Sequence, residues 1–322
     1  MKVLITDHVF GSLDIERSVL EPLGAELVVA PAKDEDTLAE LARGTAGMLV
    51  CYARISDRIL QAAAPDCRVV ARYGIGYDNV PIDTATRLGI VVTNVPDYCL
   101  DEVADHTMAL LLAMARRVVA ASLDVREGGW EVPQAGIHRL QGRRLALLGL
   151  GRIGRRVAQR AAAFGLRVTG YDPYLPSSSI EGIERAEALE TALAEADFVS
   201  LHAPLTEETR HLIGERTIAM MRRAPVIVNT SRGGLVDLEA LVAALDDGRV
   251  SAAALDVTEP EPLPAGHSLR RHPRALVTPH MSFYSAEAQA ELQRRAAEEV
   301  ARGLRGEPPR CPVNPQVREG KP

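Results

Sequence analysis

Three reactive side chains follow a glycine-rich turn along this chain. The turn is Gly149-Leu150-Gly151-Arg152-Ile153-Gly154, and the side chains are Arg232, Glu261 and His280. Such a turn before a helix can bind the pyrophosphate of a dinucleotide, and a guanidinium can bind a carboxylate. An imidazole with a carboxylate partner can give or take a proton near neutral pH. This set of groups is suited to hydride transfer between a dinucleotide and a keto acid.

The context of the glycine-rich turn makes it informative. An apolar run at 144–148 precedes it, a helical pattern at 155–164 follows it, and Asp172 ends the next predicted strand. The glycines allow the tight turn, the approach of the pyrophosphate and the packing of the helix on the strand. An acid about 20 residues downstream accepts hydrogen bonds from the adenosine ribose and repels a 2′-phosphate. The sequence therefore predicts NAD rather than NADP; the alternative is a turn with no ligand.

The predicted cofactor-binding residues follow the ends of several strands. His202-Ala203-Pro204 would wall the adenosine, and Asp256 would bind the nicotinamide side or, alternatively, cap a turn. The whole predicted set is Gly149, Gly151, Arg152, Ile153, Gly154, Asp172, Ala203, Pro204, Thr230, Ser231 and Asp256.

Each of the three reactive residues also has a simpler interpretation. Arg232 could form a surface ion pair, His280 could be an ordinary loop histidine, and Glu261 could be a solvated charge. Glu259 is a second candidate for the carboxylate beside His280. In the functional interpretation, the carboxylate holds the tautomer of the imidazole and favours its protonated form.

A second glycine pair lies in Arg72-Tyr73-Gly74-Ile75-Gly76-Tyr77-Asp78-Asn79, after the strand predicted at 69–71. Successive N–H groups in such a loop can bind an anion, which here would be the substrate carboxylate. An ordinary turn explains the same glycines equally well.

Composition argues against several other classes of protein. The 322 residues suggest two domains, and the net charge of −6 with interspersed signs disfavours nucleic-acid binding. No apolar run approaches the roughly 18–20 residues of a membrane span, and the first residues read as a strand rather than a signal peptide. No metal-ligand spacing is present. Four cysteines without CxxC spacing predict reduced thiols in a cytoplasmic protein: Cys51, Cys67, Cys99 and Cys311.

Apolar runs alternate with amphipathic stretches in both halves of the chain, which predicts an α/β fold with two doubly wound parallel sheets. Buried strands are predicted at 3–5, 25–29, 47–50, 69–71 and 90–92, and then at 144–148, 167–171, 198–201, 226–229, 252–255 and 275–277. A long helix is predicted at 101–119, an irregular arm around Trp130 at 128–142, and a last helix at 285–304.

Together these motifs resemble the D-isomer-specific 2-hydroxyacid dehydrogenases along nearly the whole chain. Further matching segments are Asp105-His106-Thr107, Tyr171-Asp172-Pro173 and Asp256-Val257-Thr258-Glu259-Pro260-Glu261-Pro262. Within the family, Asn94-Val95-Pro96-Asp97-Tyr98 and Phe283-Tyr284-Ser285 are most similar to the C-terminal-binding-protein branch, and phosphoglycerate dehydrogenases are also similar.

The resemblance implies a Rossmann cofactor domain (99–283) inserted into a flavodoxin-like substrate domain (1–98 and 284–322). It implies NAD-dependent interconversion of a 2-keto acid and a D-2-hydroxy acid. Arg232 would bind the carboxylate, Glu261 would pair with the acid/base His280, and Ile75 and Gly76 would donate backbone hydrogen bonds to the substrate. It also implies a homodimer formed through the cofactor domains, with the arm at 128–142 joining the interface.

Two departures from the family pattern concern the substrate. Cys51-Tyr52-Ala53-Arg54-Ile55-Ser56 matches the phosphate-binding loop of phosphoglycerate dehydrogenases poorly, which argues against 3-phosphoglycerate. Met281-Ser282 replaces the small pair usual after the histidine. An alternative function is an NAD(H)-sensing, corepressor-like binding protein with little turnover. Formate dehydrogenases are a third resemblance, but they carry a neutral residue where Glu261 stands.

Overall fold

The computed structural model describes residues 1–132, 136–175 and 180–317. The chain divides into two compact units, each with its own parallel β-sheet. Unit 1 contains Met1–Tyr98 and Ser285–Pro322, and unit 2 contains Cys99–Tyr284.

Unit 1 is built on a five-stranded sheet in the order β2-β1-β3-β4-β5, which is the flavodoxin-like order. Its strands are β1 (Lys2–Ile5), β2 (Glu26–Val29), β3 (Thr45–Val50), β4 (Val69–Arg72) and β5 (Val91–Thr93). Its helices are α1 (Asp14–Leu20), α2 (Glu35–Ala42), α3 (Asp57–Ala63), α4 (Ile82–Arg87) and α11 (Ala286–Arg305).

The two faces of this sheet are covered by different helices because side chains alternate along each strand. Met48 and Val50 of β3 join the core formed with α2 and α3. Gly47 faces α11 instead, where a Cβ would lie 3.0 Å from Val300 Cγ1. Gly303 of α11 likewise lies against Val69, since a Cβ there would be 2.5 Å from Val69 Cγ1. The last helix therefore packs closely on β3 and β4 where side chains are missing.

Unit 2 is built on a seven-stranded parallel sheet in the order β12-β11-β10-β9-β6-β7-β8. Its strands are β6 (Arg144–Leu148), β7 (Arg167–Tyr171), β8 (Ile183–Arg185), β9 (Phe198–Leu201), β10 (Val226–Asn229), β11 (Ala252–Leu255) and β12 (Ala275–Val277). Its helices are α5 (Leu100–Ala115), α6 (Val118–Arg126), α7 (Arg152–Ala163), α8 (Leu189–Ala194), α9 (Glu215–Ile218) and α10 (Leu238–Asp247). Short 3₁₀ turns in the two units are Glu21–Leu23, Gly233–Leu235, Ser268–Arg270 and Pro315–Val317.

Helices cover both faces of this second sheet. Buried residues of α5 and α7 pack on one face, and buried residues of α8, α9 and α10 pack on the other. The strand order reverses between β6 and β9, which is the place where open α/β sheets bind ligands. The predicted fold class, with two doubly wound parallel sheets, is confirmed.

Two details of the predicted elements are wrong. The helix predicted at 101–119 ends at Ala115, because Arg117 adopts a left-handed conformation with φ 53° and a new helix begins at Val118. The strand predicted as buried at 25–29 is an edge strand, and Val29 is 40% exposed. Of the arm predicted at 128–142, residues 133–135 lie outside the described residues; the described remainder contains no helix or strand.

No helix within the described ranges is both long and apolar enough to cross a membrane.

Candidate active site

The glycine-rich turn connects β6 to α7, and its shape depends on glycine. Gly149 has φ 101°, and a Cβ there would lie 2.6 Å from the carbonyl carbon of His202. A Cβ on Gly154 would collide with the carbonyl oxygen of Gly149. Gly151 differs from both, because nothing lies within 4 Å of the position of its missing Cβ. Two glycines thus fix the turn, and the third leaves open space beside it.

The N-terminus of α7 fits a bound anion. Gly151 is its N-cap, no side chain caps the first turn, and the first turn contains Arg152 but no acidic residue. In contrast, α2 and α10 are capped by the carboxylates of Asp34 and Asp237. The first N–H groups of α7, around Ile153, therefore keep their capacity to bind the pyrophosphate of NAD.

Asp172 follows β7 next to the turn, as the sequence predicts for a ribose-binding acid. Its Oδ2 accepts from the Leu150 N–H at 2.9 Å, and its Oδ1 accepts from the Tyr174 N–H at 3.1 Å. Each carboxylate oxygen can accept more than one hydrogen bond, so both remain able to accept from a ribose hydroxyl.

His202 lies behind the turn at the end of β9, beside Ala203 and Pro204. Its Nε2 is 2.9 Å from Ser200 Oγ, and burial lowers its pKa to about 4. His202 is therefore neutral at physiological pH and adds no charge to the turn. Ala203 and Pro204, the residues predicted to line the adenosine site, follow His202 directly. The backbone nitrogen of Ala203 lies against Gly149.

The reactive side chains lie at the carboxyl ends of three adjacent strands. Arg232 follows β10, Glu261 follows β11 and His280 follows β12. Strands β10, β11 and β12 are neighbours in the sheet, so the three loops begin side by side at one edge. Residues far apart along the chain are brought together in this way.

His280 pairs with Glu261. Its Nδ1 lies 2.9 Å from Glu261 Oε2, while Glu261 Oε1 accepts from the Thr258 N–H at 3.2 Å. The rival Glu259 is bound instead by Arg210, with Nη1 and Oε2 2.6 Å apart. The carboxylate in contact with His280 is therefore Glu261, the predicted partner, and its role in catalysis stays a prediction.

Asp256 holds the segment that carries His280. His280 has φ 51°, a strained conformation for a residue with a side chain. Its N–H donates to the Asp256 carbonyl, and the Asp256 carboxylate accepts from the N–H groups of Met281 (3.0 Å) and Ser282 (2.8 Å) and from Thr278 Oγ1 (2.5 Å). This is the turn-holding alternative of the two predicted roles; a contact with nicotinamide stays a prediction.

The Asp256 side chain is fully buried and remains an anion. Burial by itself would raise the pKa of its carboxyl, but the hydrogen bonds from Thr278, Met281 and Ser282 outweigh burial and lower the pKa below its usual value. The hydrogen bonds that hold the His280 segment are therefore all formed at neutral pH. They would weaken only in strong acid, as the carboxylate gains a proton.

The Arg232 loop is held by residues that sequence reasoning missed. Asn229 is fully buried; its amide donates to the Arg232 carbonyl at 2.8 Å, and its Oδ1 accepts from the Ser231 N–H at 3.0 Å. A Cβ on Gly233 would collide with the backbone of Thr258, so the Arg232 loop packs directly on the Glu261 loop. A buried asparagine that ends a strand was the available sequence signal.

In unit 1, the loop after β4 presents two backbone donors. Asn94 Nδ2 donates to the Ile75 carbonyl at 2.7 Å, and the Val95 N–H donates to the Gly74 carbonyl at 3.0 Å. Within the described part of the chain, the N–H groups of Ile75 and Gly76 have no hydrogen-bond acceptor. They remain available to an anion, as predicted for the substrate carboxylate.

A second loop of unit 1, at 51–55, is held by two polar side chains. The Asp7 carboxylate accepts from the N–H groups of Cys51, Tyr52 and Ala53 at 2.8–3.1 Å. Asn79 Nδ2 donates to the carbonyls of Cys51 (3.1 Å) and Ala53 (2.9 Å). The loop backbone is therefore fixed, while the side chains of Tyr52 and Arg54 are exposed.

Among the described residues, no group of three or more His, Cys, Asp or Glu side chains is arranged to hold a metal ion.

The Rossmann unit, its uncapped helix N-terminus and the imidazole–carboxylate pair define an NAD-binding oxidoreductase. The family model "D-isomer specific 2-hydroxyacid dehydrogenase, NAD binding domain" matches residues 108–282. A D-3-phosphoglycerate dehydrogenase of Methanocaldococcus jannaschii is 38% identical over 327 residues, covering 100% of this chain and 62% of that protein. A glyoxylate reductase of Aeropyrum pernix is 41% identical over 309 residues, covering 92% and 88%. The crystal structure of the TT0316 protein of Thermus thermophilus has a TM-score of 0.89 at 38% identity, covering 97% and 100%.

The chain belongs to the D-isomer-specific 2-hydroxyacid dehydrogenase family. The predicted class of enzyme, the NAD cofactor and the similarity to the phosphoglycerate dehydrogenase branch are confirmed at the level of the family. The relatives are named as dehydrogenases and reductases, which does not favour the NAD-sensing alternative. The chain spans 62% of the length of the Methanocaldococcus relative.

The glycines of the turn make separable predictions for stability and cofactor binding. We expect Gly151→Ala to leave the urea midpoint of unfolding unchanged, because its Cβ meets open space, but to weaken NADH binding about tenfold or more by filling the space beside the turn. Gly149→Ala should lower both the urea midpoint of unfolding and the affinity for NADH, because its Cβ meets the His202 backbone. Urea unfolding and NADH fluorescence titration measure the two effects. Equal NADH affinity of Gly151→Ala and wild type would contradict the assigned pyrophosphate site.

Proposed function

We propose that this protein interconverts a 2-keto acid and a D-2-hydroxy acid with NAD(H). The observation that carries the proposal is the His280–Glu261 pair, with 2.9 Å between Nδ1 and Oε2. It lies at the carboxyl edge of the same parallel sheet whose β6–α7 turn fits a dinucleotide pyrophosphate. In this proposal unit 2 binds the cofactor.

His280 acts as the acid/base. In the reducing direction, an NADH held by its pyrophosphate at the β6–α7 turn would supply a hydride for the carbonyl carbon, and the electron pair of the C=O bond would move onto oxygen. His280 as imidazolium gives its Nε2 proton to that oxygen, so the products are the hydroxy acid, NAD⁺ and neutral imidazole. Nδ1 keeps its proton, which it donates to Glu261 throughout. The Glu261 anion thereby stabilises the imidazolium that the reaction consumes.

Arg232 binds the substrate carboxylate and offsets charge that develops on the carbonyl oxygen. A guanidinium can make two parallel hydrogen bonds to a carboxylate, which orients the acid as well as holding it. The support for this role is the position of Arg232: its loop is held by Asn229 and packs against the loop of Glu261 through Gly233. Ile75 and Gly76 stay predicted backbone donors to the substrate carboxylate, since within the described residues their N–H groups have no acceptor.

A small, unphosphorylated keto acid is the substrate class that we propose. The 51–56 loop offers one exposed cation, Arg54, where phosphoglycerate dehydrogenases carry a richer phosphate-binding loop. One relative is named glyoxylate reductase and another D-3-phosphoglycerate dehydrogenase, so both classes belong in the assay. NADH oxidation with glyoxylate, hydroxypyruvate, pyruvate, branched keto acids and phosphohydroxypyruvate decides between them.

Removing the imidazole tests the role of His280. We expect His280→Ala to lower kcat for keto-acid reduction by about 10²–10⁴-fold, because the proton donor is lost, while NADH binding persists. The His272→Ala variant is the control, since that imidazole lies at the surface-exposed Asp246 with 3.3 Å between Nε2 and Oδ1. Near-normal turnover of His280→Ala, measured by NADH absorbance, would remove His280 from the mechanism.

Removing the charge of Glu261 tests the tuning of the imidazole. Without the anion, the imidazolium of His280 is less stable, so keto-acid reduction by Glu261→Gln should decline at lower pH than in the wild type. Glu259→Gln is the matched control, because Glu259 pairs with Arg210 rather than with His280. The measurement is the pH dependence of kcat/KM for both variants. If both profiles coincide with the wild type, Glu261 does not tune His280.

We further propose that the protein is a homodimer formed through unit 2. Helix α6 has no buried residue, although it carries Val118, Leu123 and Val125, and Trp130 beyond it is 86% exposed. Such an apolar surface is typical of an interface between protein chains. We expect Leu123→Lys to shift the mass found by sedimentation equilibrium towards the monomer, whereas Phe164→Lys, at another exposed apolar site of unit 2, should not. A monomeric wild-type protein at micromolar concentration would refute the dimer.

A further inference from the structure

Helix α5 turns two adjacent polar side chains towards the loops of Arg232 and His280. His106 Nε2 lies 3.3 Å from Thr278 Oγ1 and 3.6 Å from Asp256 Oδ1. Thr107 Oγ1 lies 2.8 Å from Thr230 Oγ1. Thr230 precedes Arg232 by two residues, and Thr278 precedes His280 by two. One helix therefore touches both loops at equivalent points.

The direction of the Thr107–Thr230 hydrogen bond follows from counting protons. A hydroxyl has one proton, and Thr107 Oγ1 donates its proton to the Val103 carbonyl at 2.7 Å. Thr230 must therefore be the donor in the bond between the two hydroxyls. Thr107 is fully buried and Thr230 nearly so, so removing the acceptor would leave the Thr230 hydroxyl unsatisfied away from water.

The same counting fixes the tautomer of His106. Thr278 Oγ1 donates its one proton to Asp256 Oδ1 at 2.5 Å. The hydrogen bond between His106 and Thr278 must then use a proton on His106 Nε2. The same N–H group also lies near the Asp256 carboxylate. His106 thus donates into the group of hydrogen bonds that holds the strained His280 segment.

Helix α5 is itself tied to the helix that begins at the glycine-rich turn. Asp105 Oδ1 lies 2.5 Å from Arg160 Nε, and Asp101 Oδ1 contacts Arg156 and Arg160 of α7 at 3.0–3.1 Å. The apolar side of α5 packs in the same core as α7 and the sheet. This gives His106 and Thr107 a fixed base from which to hold the two loops.

We propose that His106 and Thr107 are positioning residues for the two halves of the proposed reaction. His106 holds His280 in place through Thr278 and Asp256, and Thr107 holds the Arg232 loop through Thr230. The inference rests on the proposed function of His280 and Arg232. In this assignment His106 positions the proton donor His280, and Thr107 positions Arg232, the group that binds the substrate carboxylate.

The two residues should therefore affect different kinetic constants. We expect His106→Leu to lower kcat about tenfold or more while the KM for the keto acid changes by less than about twofold, because misplacement of the proton donor slows the chemical step. His106→Gln keeps a donor at the reach of Nε2 and should recover most of the loss. Thr107→Val should chiefly raise the KM for the keto acid, and Thr107→Ser should restore it.

A readout independent of turnover accompanies the kinetics. The amide protons of Met281 and Ser282 donate to Asp256, so their hydrogen exchange should be faster in His106→Leu than in wild type or His106→Gln. Unchanged kcat and unchanged exchange in His106→Leu overturn the inference, and so does a Gln variant as impaired as the Leu variant. If the wild type reduces no keto acid, the proposed function fails, and the exchange measurement still tests the positioning by His106.

Discussion

The Asp256 carboxylate is the group on which the proposed catalytic geometry depends. It is a buried anion that is stabilised by hydrogen bonds from Thr278, Met281 and Ser282, and no arginine or lysine among the described residues pairs with it. Those bonds hold His280 in a left-handed backbone conformation that its side chain disfavours. Asp256, which directly follows β11, thus keeps the strained backbone of His280 in place. The imidazole is oriented towards Glu261 as a result.

The parallel sheet explains why few residues are needed to bring the reactive side chains together. Strands β10, β11 and β12 end at one edge of the sheet. One reactive side chain follows each strand after a short stretch of loop. Gly233 then allows the first of these loops to pack on the second, since any side chain there would meet the Thr258 backbone. Buried polar side chains such as Asn229 and Asp256 hold the loop backbones through hydrogen bonds to main-chain groups.

Much of the fold and of the candidate site could be predicted from the sequence, because both depend on local patterns of residues. Apolar runs ending in Gly, Asp, Arg and His identify strand ends, and strand ends of a parallel sheet converge. The sequence favoured Glu261 over Glu259 as the carboxylate beside His280, but it gave no sign that Glu259 pairs with Arg210, 49 residues away along the chain. The end of α5 was also missed, since an arginine at position 117 gives no sign that its backbone will adopt a positive φ. Strand β8, Ile183–Arg185, is short and polar and lacks the periodicity that marks a strand.

The Asp7 and Asn79 contacts have a consequence for how this scaffold could diversify. They hold the main chain at 51–53 through backbone atoms alone, so the path of that loop is independent of which side chains stand at 52 and 54. A substitution at Arg54, whose side chain is exposed, would leave these hydrogen bonds in place. Natural drift or laboratory evolution can therefore change the charge at position 54 without removing the bonds that fix the loop backbone.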